Sequence, residues 1–330
     1  MQRACVAGVL LLAVHLSFAG DGEDLVFTPA PQMREPSKEQ LLDIADAGSR
    51  LVAVGTSGLI ITSDDSGVSW KQADVPVSAT LTAVSFPVPD MGWAVGHAGV
   101  ILHTRNRGDS WELQFDGKRA GAAFLEYARS RRAALEATVD ALDAGTDNAA
   151  AGDSGQREDL EYALDDAMFI EEEAQLAVDT GPADPFLDVQ FFDERSGLAV
   201  GAYGMSFRTE DGGTSWVVNQ DGIDNPDRFH LYSLFLDEQE GVYIAGEAGL
   251  LYRSTDAGLT FERFEDVYEG SLFGVLPLGR GVLTFGLRGH LFYSAAENDG
   301  WESLTSENTS SLYGGTDLDD GGALLLGAGG

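Results

Sequence analysis

The chain of 330 residues carries 54 acidic and 20 basic residues, which gives a formal net charge of −34 at pH 7. A surface this acidic repels phosphate backbones and anionic lipid headgroups, so nucleic-acid binding and a polybasic mode of membrane binding are disfavoured. The charge indicates cationic or neutral partners, although solubility of an exported protein also accounts for it.

The first predicted element is a secretory signal over residues 1–19. Arg3, an apolar run from Val6 to Leu16 and Ser-Phe-Ala at 17–19 fit cleavage after Ala19. The run is shorter than the ~20 residues that span a bilayer, and the alternative is an N-terminal anchor left in place. The single cysteine, Cys5, would leave with the signal, so disulfides and thiolate chemistry are excluded from the mature chain, which we expect in the periplasm.

An eight-residue motif recurs from residue 63 onward, as SDDSGVSW (63–70), TRNRGDSW (104–111), TEDGGTSW (209–216) and STDAGLTF (254–261). A catalytic group is usually unique, whereas a turn that builds a fold recurs. The acidic position can accept hydrogen bonds from backbone N–H groups about two residues on, the glycine can adopt positive φ, and the aromatic residue opens the next strand. The predicted turn residues are Asp65, Gly67, Trp70, Asn106, Gly108, Trp111, Asp211, Gly213, Trp216, Asp256, Gly258 and Phe261.

A Gly-x-x-Gly turn precedes each copy and occurs twice more beyond the last one, and the six first glycines are separated by 41, 105, 45, 40 and 41 residues. Each interval contains four short strands joined by hairpin turns, which predicts a β-propeller blade. We therefore expect an all-β domain over residues 20–330, a propeller of about six or seven four-stranded blades. The sixth unit stops after its second strand, so the C-terminal blade is incomplete, and LVFTPAP (25–31) resembles a fourth strand.

The long interval contains an insertion at 117–182, where apolar residues recur in steps of three and four over 119–142 and 160–178. This spacing predicts a helical hairpin, which Pro182 and Pro185 end. Its first helix carries Arg129, Arg131 and Arg132, and its second helix is rich in acids. The two helices either pack with complementary charged flanks or form an arm that recognises a partner.

The stretches GWAVGHAGVILHTRNRGDSW (92–111) and GLAVGAYGMSFRTEDGGTSW (197–216) resemble the repeats of photosystem II stability and assembly factor propellers and their bacterial relatives. That resemblance implies an exported, non-enzymatic assembly or scaffolding factor. Its partner would be a protein, such as a membrane-protein subunit or an envelope complex at its periplasmic face. The octets alone also resemble the Asp boxes, or bacterial neuraminidase repeats, of sialidases.

The second resemblance implies the alternative, a sialidase-like glycoside hydrolase or carbohydrate-binding propeller, in which three arginines converge on the substrate carboxylate. Arg208 and Arg253 occupy equivalent places before their octets, but Thr62, His103 and Tyr293 stand there in other copies. Because the residue at this repeat position varies from copy to copy, we predict that it serves blade-to-blade packing or forms a polar rim. We predict no catalytic residue, cofactor or metal. Arg129, Arg131, Arg132, Arg208 and Arg253 are candidate partner-binding residues.

Overall fold

The computed structural model describes residues 5–6, 22–145, 154–181, 184–237, 240–295, 300–306, 309–318 and 321–328. The chain forms two compact units, one of Met1–Asp116 with Ala183–Gly330 and one of Gly117–Pro182. The first is built from antiparallel sheets and the second from helices, so the predicted β-propeller with an inserted helical hairpin is confirmed. Across the described ranges, no helix combines the length and apolar character that a membrane span requires.

The described part of the first unit contains five four-stranded sheets and a sixth sheet of three strands, which we number blade 1 to blade 6 in chain order. The first strands are Leu41–Asp46, Leu81–Val88, Phe186–Phe191, Leu231–Leu236, Leu272–Leu278 and Leu312–Asp317. The second strands are Leu51–Gly55, Met91–Gly96, Gly197–Gly201, Val242–Gly246, Gly281–Gly286 and Ala323–Gly327. The third strands are Ile60–Ser63, Ile101–Thr104, Ser206–Thr209, Leu251–Ser254 and Leu291–Ser294. The fourth strands are Lys71–Gln72, Glu112–Phe115, Val217–Val218, Glu262–Arg263 and Glu302–Leu304.

The third member of the sheet in blade 6 is Cys5–Val6 of the uncleaved chain, which pairs antiparallel with the first strand, Leu312–Asp317, on the side away from the second strand. The predicted fourth strand at 25–31 is wrong, since Gly22–Phe27 is a short α-helix. Pro29 and Pro31 lack the N–H groups that a strand ladder needs, and the segment instead hydrogen-bonds the linker between blades 1 and 2. Apart from Cys5 and Val6, the predicted signal segment 1–19 lies outside the described residues.

The core lies between consecutive sheets, and the first strands of neighbouring blades face one another around the centre of the ring. Val52 and Val54 of blade 1, for example, share one apolar cluster with Val84, Ala94 and Leu102 of blade 2. Blade strands are therefore apolar on both faces, as expected for sheets covered on each side.

The turn between the second and third strands explains the Gly-x-x-Gly spacing. In blade 1, Gly58 has φ +72°, and a Cβ on it would lie 2.0 Å from the carbonyl oxygen of Val77 in the linker to blade 2. Only glycine suits both the left-handed conformation and this backbone approach. The turn therefore fixes the path by which one blade follows another.

The inserted unit consists of two helices, Gly117–Gly145 and Ser154–Thr180. Their apolar contact is made by Leu125 and Ala128 of the first helix with Ile170 and Ala174 of the second, all buried. This packing matches the helical periodicity of the sequence and gives the unit its own small core.

Candidate functional site

The four octets form the same corner between the third and fourth strands of blades 1 to 4. In blade 1, Asp65 Oδ1 accepts a hydrogen bond from the Ser69 N–H at 2.8 Å, and Oδ2 accepts one from Ser69 Oγ at 2.6 Å. The Gly67 N–H donates to Ser63 Oγ at 2.9 Å, and Trp70 Nε1 donates to the Gly67 carbonyl at 3.0 Å. The carboxylate thus accepts hydrogen bonds from the residue four positions later in the chain. The prediction that its donor lies about two positions later is wrong, because consecutive positive φ angles at Ser66 and Gly67 turn the chain back toward Asp65.

The other copies repeat this arrangement. Asp211 accepts from the Ser215 N–H at 2.9 Å and from Ser215 Oγ at 2.7 Å, and Asp256 accepts from the Thr260 N–H at 2.9 Å and from Thr260 Oγ1 at 2.6 Å. Asn106 Oδ1 accepts from the Ser110 N–H at 3.1 Å, while its amide nitrogen donates to Ser110 Oγ. All four glycines, Gly67, Gly108, Gly213 and Gly258, have φ between +78° and +87°. The aromatic residues Trp111, Trp216 and Phe261 are buried and Trp70 is half-buried.

The hydrogen bonds keep these carboxylates ionised. Those from Ser69 lower the pKa of Asp65 to about 2. Burial raises the pKa of Asp256, but hydrogen bonds from Thr260 and Ser254 outweigh it and lower that pKa to about 2. A carboxylate whose oxygens are occupied in this way is a weak base, so the geometry favours a structural role for the corners.

Arg208 and Arg253 lie in equivalent third-strand positions, and both guanidinium groups contact their own propeller. Arg208 is 7% exposed, and its Nη1 donates to the carbonyl oxygen of Ala257 in blade 4 at 2.6 Å. Arg253 stacks on Tyr243 at 5.6 Å from the ring centroid, with Nη2 3.9 Å from Asp237 Oδ2. The link from Arg208 to Ala257 favours the blade-to-blade alternative over a partner-binding role for that residue.

The three candidate arginines of the insertion pair with the second hairpin helix. Arg132 Nη1 lies 3.1 Å from Glu171 Oε2, Arg129 Nε lies 3.4 Å from Glu171 Oε1, and Arg131 Nη2 lies 3.8 Å from Asp166 Oδ2. These ion pairs favour the packing alternative for the charged flanks. As partner-binding residues, the three arginines stay a prediction.

A cavity of about 400 Å³ lies at the centre of the ring, at the end where the first strands finish. Residues from the first strands of all six blades, or from just beyond them, line it. Its aromatic lining includes Phe86, Phe235, Phe273 and Tyr313. Asp46, Asp237 and Asp317 add carboxylates from blades 1, 4 and 6.

The three aspartates share a position, at or just after the last residue of a first strand. The octets do not indicate this cavity, because its residues come from segments far apart in the chain. The signal that identifies it is the comparison of first strands, LLDIAD (41–46), LYSLFLD (231–237) and LYGGTD (312–317), which end alike in aspartate.

The cavity combines flat apolar surface with negative charge. Aromatic faces and carboxylates both attract cations, and a largely apolar wall with a few polar groups is typical of ligand-binding sites. The arrangement therefore suits an apolar or positively charged side chain of a bound segment.

Antiparallel four-stranded blades around a central cavity, with the octet corner repeated in four of them, define an Asp-box β-propeller. Its sequence matches the family model described as photosynthesis system II assembly factor YCF48 over residues 28–152 and 168–323. The chain belongs to that family, and the predicted resemblance is confirmed.

Individual relatives agree with this assignment. The chain is 35% identical over 136 residues to the photosystem II assembly lipoprotein Ycf48 of Synechococcus sp. (strain CC9902), an alignment that covers 40% of this chain and 39% of the relative. The chain thus spans about two fifths of that relative's length. Among solved structures, YCF48 from Cyanidioschyzon merolae superposes with a TM-score of 0.52 at 13% identity, over 86% of this chain and 77% of that one.

The same fold occurs in a different class of protein. An ancestral GH74 enzyme superposes with a TM-score of 0.51 at 13% identity, over 86% of this chain and 37% of that enzyme. At this identity the likeness concerns the fold alone, and propellers of this kind carry unrelated functions.

Proposed function

We propose that the protein is an exported, non-enzymatic assembly or scaffolding factor that binds a membrane-protein subunit or an envelope complex. The observation that carries the proposal is the family match, which covers both halves of the propeller. The relative from Synechococcus is a photosystem II assembly lipoprotein by name, and we extend the assembly role, but no particular complex, to this chain.

We infer that the client segment binds in the central cavity. Asp46 and Asp317 give the lining negative charge, whereas Asp237 is paired with Arg253, and the whole chain carries −34. A segment with a lysine or arginine among apolar residues complements this lining, because the cation meets the carboxylates and aromatic rings while the apolar residues lose water.

The cavity chemistry argues against the sialidase-like alternative. A sialic-acid carboxylate requires convergent arginines, whereas the charged residues in the described cavity lining are aspartates, which repel it. Arg208 is a candidate for such an arginine, but its guanidinium donates hydrogen bonds to the Ala257 carbonyl oxygen and to Glu210 Oε1.

Export is part of the proposal, and cleavage after Ala19 would remove Cys5–Val6 from the sheet of blade 6. Arg3, the apolar run at 6–16 and Ser-Phe-Ala at 17–19 support a signal peptide cleaved after about Ala19 and a periplasmic location. Mass determination of the N-terminus of the protein recovered from its host tests this part, and a chain that retains residues 1–19 in the cytoplasm contradicts it.

Affinity purification from host envelope fractions, followed by mass spectrometry, tests the proposed function. The wild type is expected to recover a membrane-protein complex, and Asp46→Lys is expected to reduce that recovery by about fivefold or more, since it reverses a charge in the cavity. Glu112→Lys, at an exposed position on a fourth strand, makes the same change in net charge and serves as the matched control.

Each outcome is decisive. Equal recovery of the complex by Asp46→Lys and Glu112→Lys would show that the client does not bind in the cavity. Absence of any membrane-protein partner contradicts the assembly role. Turnover of a fluorogenic sialoside that Arg208→Ala abolishes would replace the proposal with the enzyme alternative.

A further inference from the structure

The second helix of the insertion presents large apolar side chains on its outer face. Tyr162, Phe169 and Leu176 are 68%, 53% and 61% exposed. They are spaced by seven residues, or two helical turns, so they form a line about 21 Å long on one side of Ser154–Thr180. The outer face of a soluble surface helix is ordinarily polar, and we call this line the outer stripe.

The outer stripe is separate from the face that packs the hairpin. Ile170 and Ala174, at 8% and 2% exposed, point toward the first helix and join its Leu125 and Ala128. The helix therefore has two apolar faces, and the internal core of the hairpin accounts for one of them.

Acidic residues surround the outer stripe. Helix Ser154–Thr180 contains nine acids and a single basic residue, Arg157. The acids that neighbour or flank the stripe in helical projection are Glu158, Asp159, Asp165, Glu172 and Glu173, whereas Asp166 pairs with Arg131 of the first helix. An apolar line with charged flanks is complemented by an amphipathic helix whose apolar side covers the line.

We propose that the outer stripe is a docking surface for a cationic amphipathic helix of a protein partner. The apolar side of that helix covers Tyr162, Phe169 and Leu176, and its lysine and arginine residues pair with the acidic flanks. Exposed aromatic side chains are the kind that dominate binding energy once a partner buries them.

The charge distinguishes this occupant from others. A second copy of the chain would set one acid-rich helix against another, and like charges across a helical seam are destabilising. An anionic membrane surface is repelled in the same way. The inference rests on the proposed function only in expecting a protein partner, and it assigns a surface on the inserted unit rather than in the cavity.

The test uses the full chain and a labelled synthetic helix of about three heptads, with leucine at the a and d positions and lysine or arginine at e and g. Fluorescence anisotropy is expected to show saturable binding that weakens with salt. The same peptide with glutamate at e and g is expected not to bind. Sedimentation of the chain alone is expected to show a monomer.

The decisive variant is Tyr162→Gln/Phe169→Gln/Leu176→Gln, because glutamine keeps helix propensity while it removes the apolar line. We expect its affinity for the basic peptide to fall at least about tenfold, with an unchanged far-UV circular dichroism spectrum. Val217→Gln/Leu259→Gln, which replaces two exposed apolar residues of the propeller, is the control and is expected to bind as the wild type does.

The inference is overturned by no binding of the basic peptide, by equal binding of the acidic peptide, or by undiminished binding of the basic peptide to the triple variant. Self-association that the triple variant abolishes also overturns it, in favour of a second copy. Failure of the peptide assay with intact recovery of the envelope complex contradicts this inference alone. Peptide binding without any envelope complex contradicts the proposed function alone.

Discussion

The buried carboxylate of Asp43 in blade 1 accepts a hydrogen bond at 2.8 Å from the backbone N–H of Val84 in blade 2. The relationship recurs two blades further on, where Asp188 accepts one at 2.7 Å from the N–H of Leu234. Both aspartates follow a β-bulge in a first strand. They join consecutive blades through a side chain, where no strand ladder connects the sheets.

Asp43→Ala is expected to lower the free energy of unfolding by about 1–3 kcal/mol, because it leaves the Val84 N–H without its partner in a buried position. Denaturant titration measures the change. Asp46→Ala removes an exposed carboxylate from the same strand and is expected to stay within about 0.5 kcal/mol of the wild type. Equal effects of the two substitutions would show that the link between the blades contributes nothing.

Asp211→Ala is expected to lower the free energy of unfolding by about 0.5–2 kcal/mol, the scale on which a capping side chain contributes. The substitution removes the acceptor of the Ser215 N–H and Oγ. Asp211→Asn should retain most of the stability, since Asn106 fills the same position in blade 2. An unchanged melting temperature of Asp211→Ala would contradict the structural role of the corner.

The lowered pKa values of the corner carboxylates predict that the protein loses part of its stability in acid. The pKa values of Asp65 and Asp256 are about 2, below the ordinary value near 3.9 that we expect in the unfolded chain. A lowered folded-state pKa stabilises the protein above about pH 4, and this contribution is lost as the pH falls toward 2. Asp65→Asn/Asp256→Asn should therefore lose less stability than the wild type between pH 4.5 and about 2, as followed by denaturant titration at each pH. A steeper loss in the variant would refute the assignment.

The stabilities of Gly58→Ala and Gly279→Ala distinguish the cost of a positive φ from the cost of a steric clash between the new Cβ and a neighbouring backbone atom. Both glycines have positive φ, but a Cβ at Gly279 meets nothing within 4 Å, whereas one at Gly58 would lie 2.0 Å from the Val77 carbonyl oxygen. Gly279→Ala is expected to cost about 1–2 kcal/mol, and Gly58→Ala at least about 1 kcal/mol more. Thermal unfolding of the two variants gives the comparison, and equal losses would mean that the linker simply moves aside.

Local features could be predicted from the sequence, and features that depend on distant segments could not. The turn structure of the octets could be predicted because the hydrogen bonds of Asp65 join residues no more than four positions apart. The central cavity joins Asp46 to Asp317, whose proximity depends on the assembled ring. No strand forms at 25–31, because Gly22–Phe27 is helical and Pro29 and Pro31 lack the N–H groups that a strand ladder needs. The role of Arg208 could not be predicted, because its guanidinium donates to the carbonyl oxygen of Ala257, 49 residues away in the chain.

The inserted hairpin also bears on how the ring comes together. Blades 2 and 3 are neighbours in space, yet 105 residues separate Gly96 from Gly201, against 40 to 45 between the same glycines of the other blades. Loop-closure entropy grows only logarithmically, so the extra length costs roughly 1 kcal/mol. Across this seam Thr82 Oγ1 donates to the Phe186 carbonyl oxygen at 2.8 Å and the Phe191 N–H donates to Ser85 Oγ at 3.1 Å, and a hydrogen bond contributes about 0.5–1.5 kcal/mol net. Two such hydrogen bonds are enough to offset the longer chain, so an inserted segment at this junction can be exchanged for another of similar length while blades 2 and 3 stay joined.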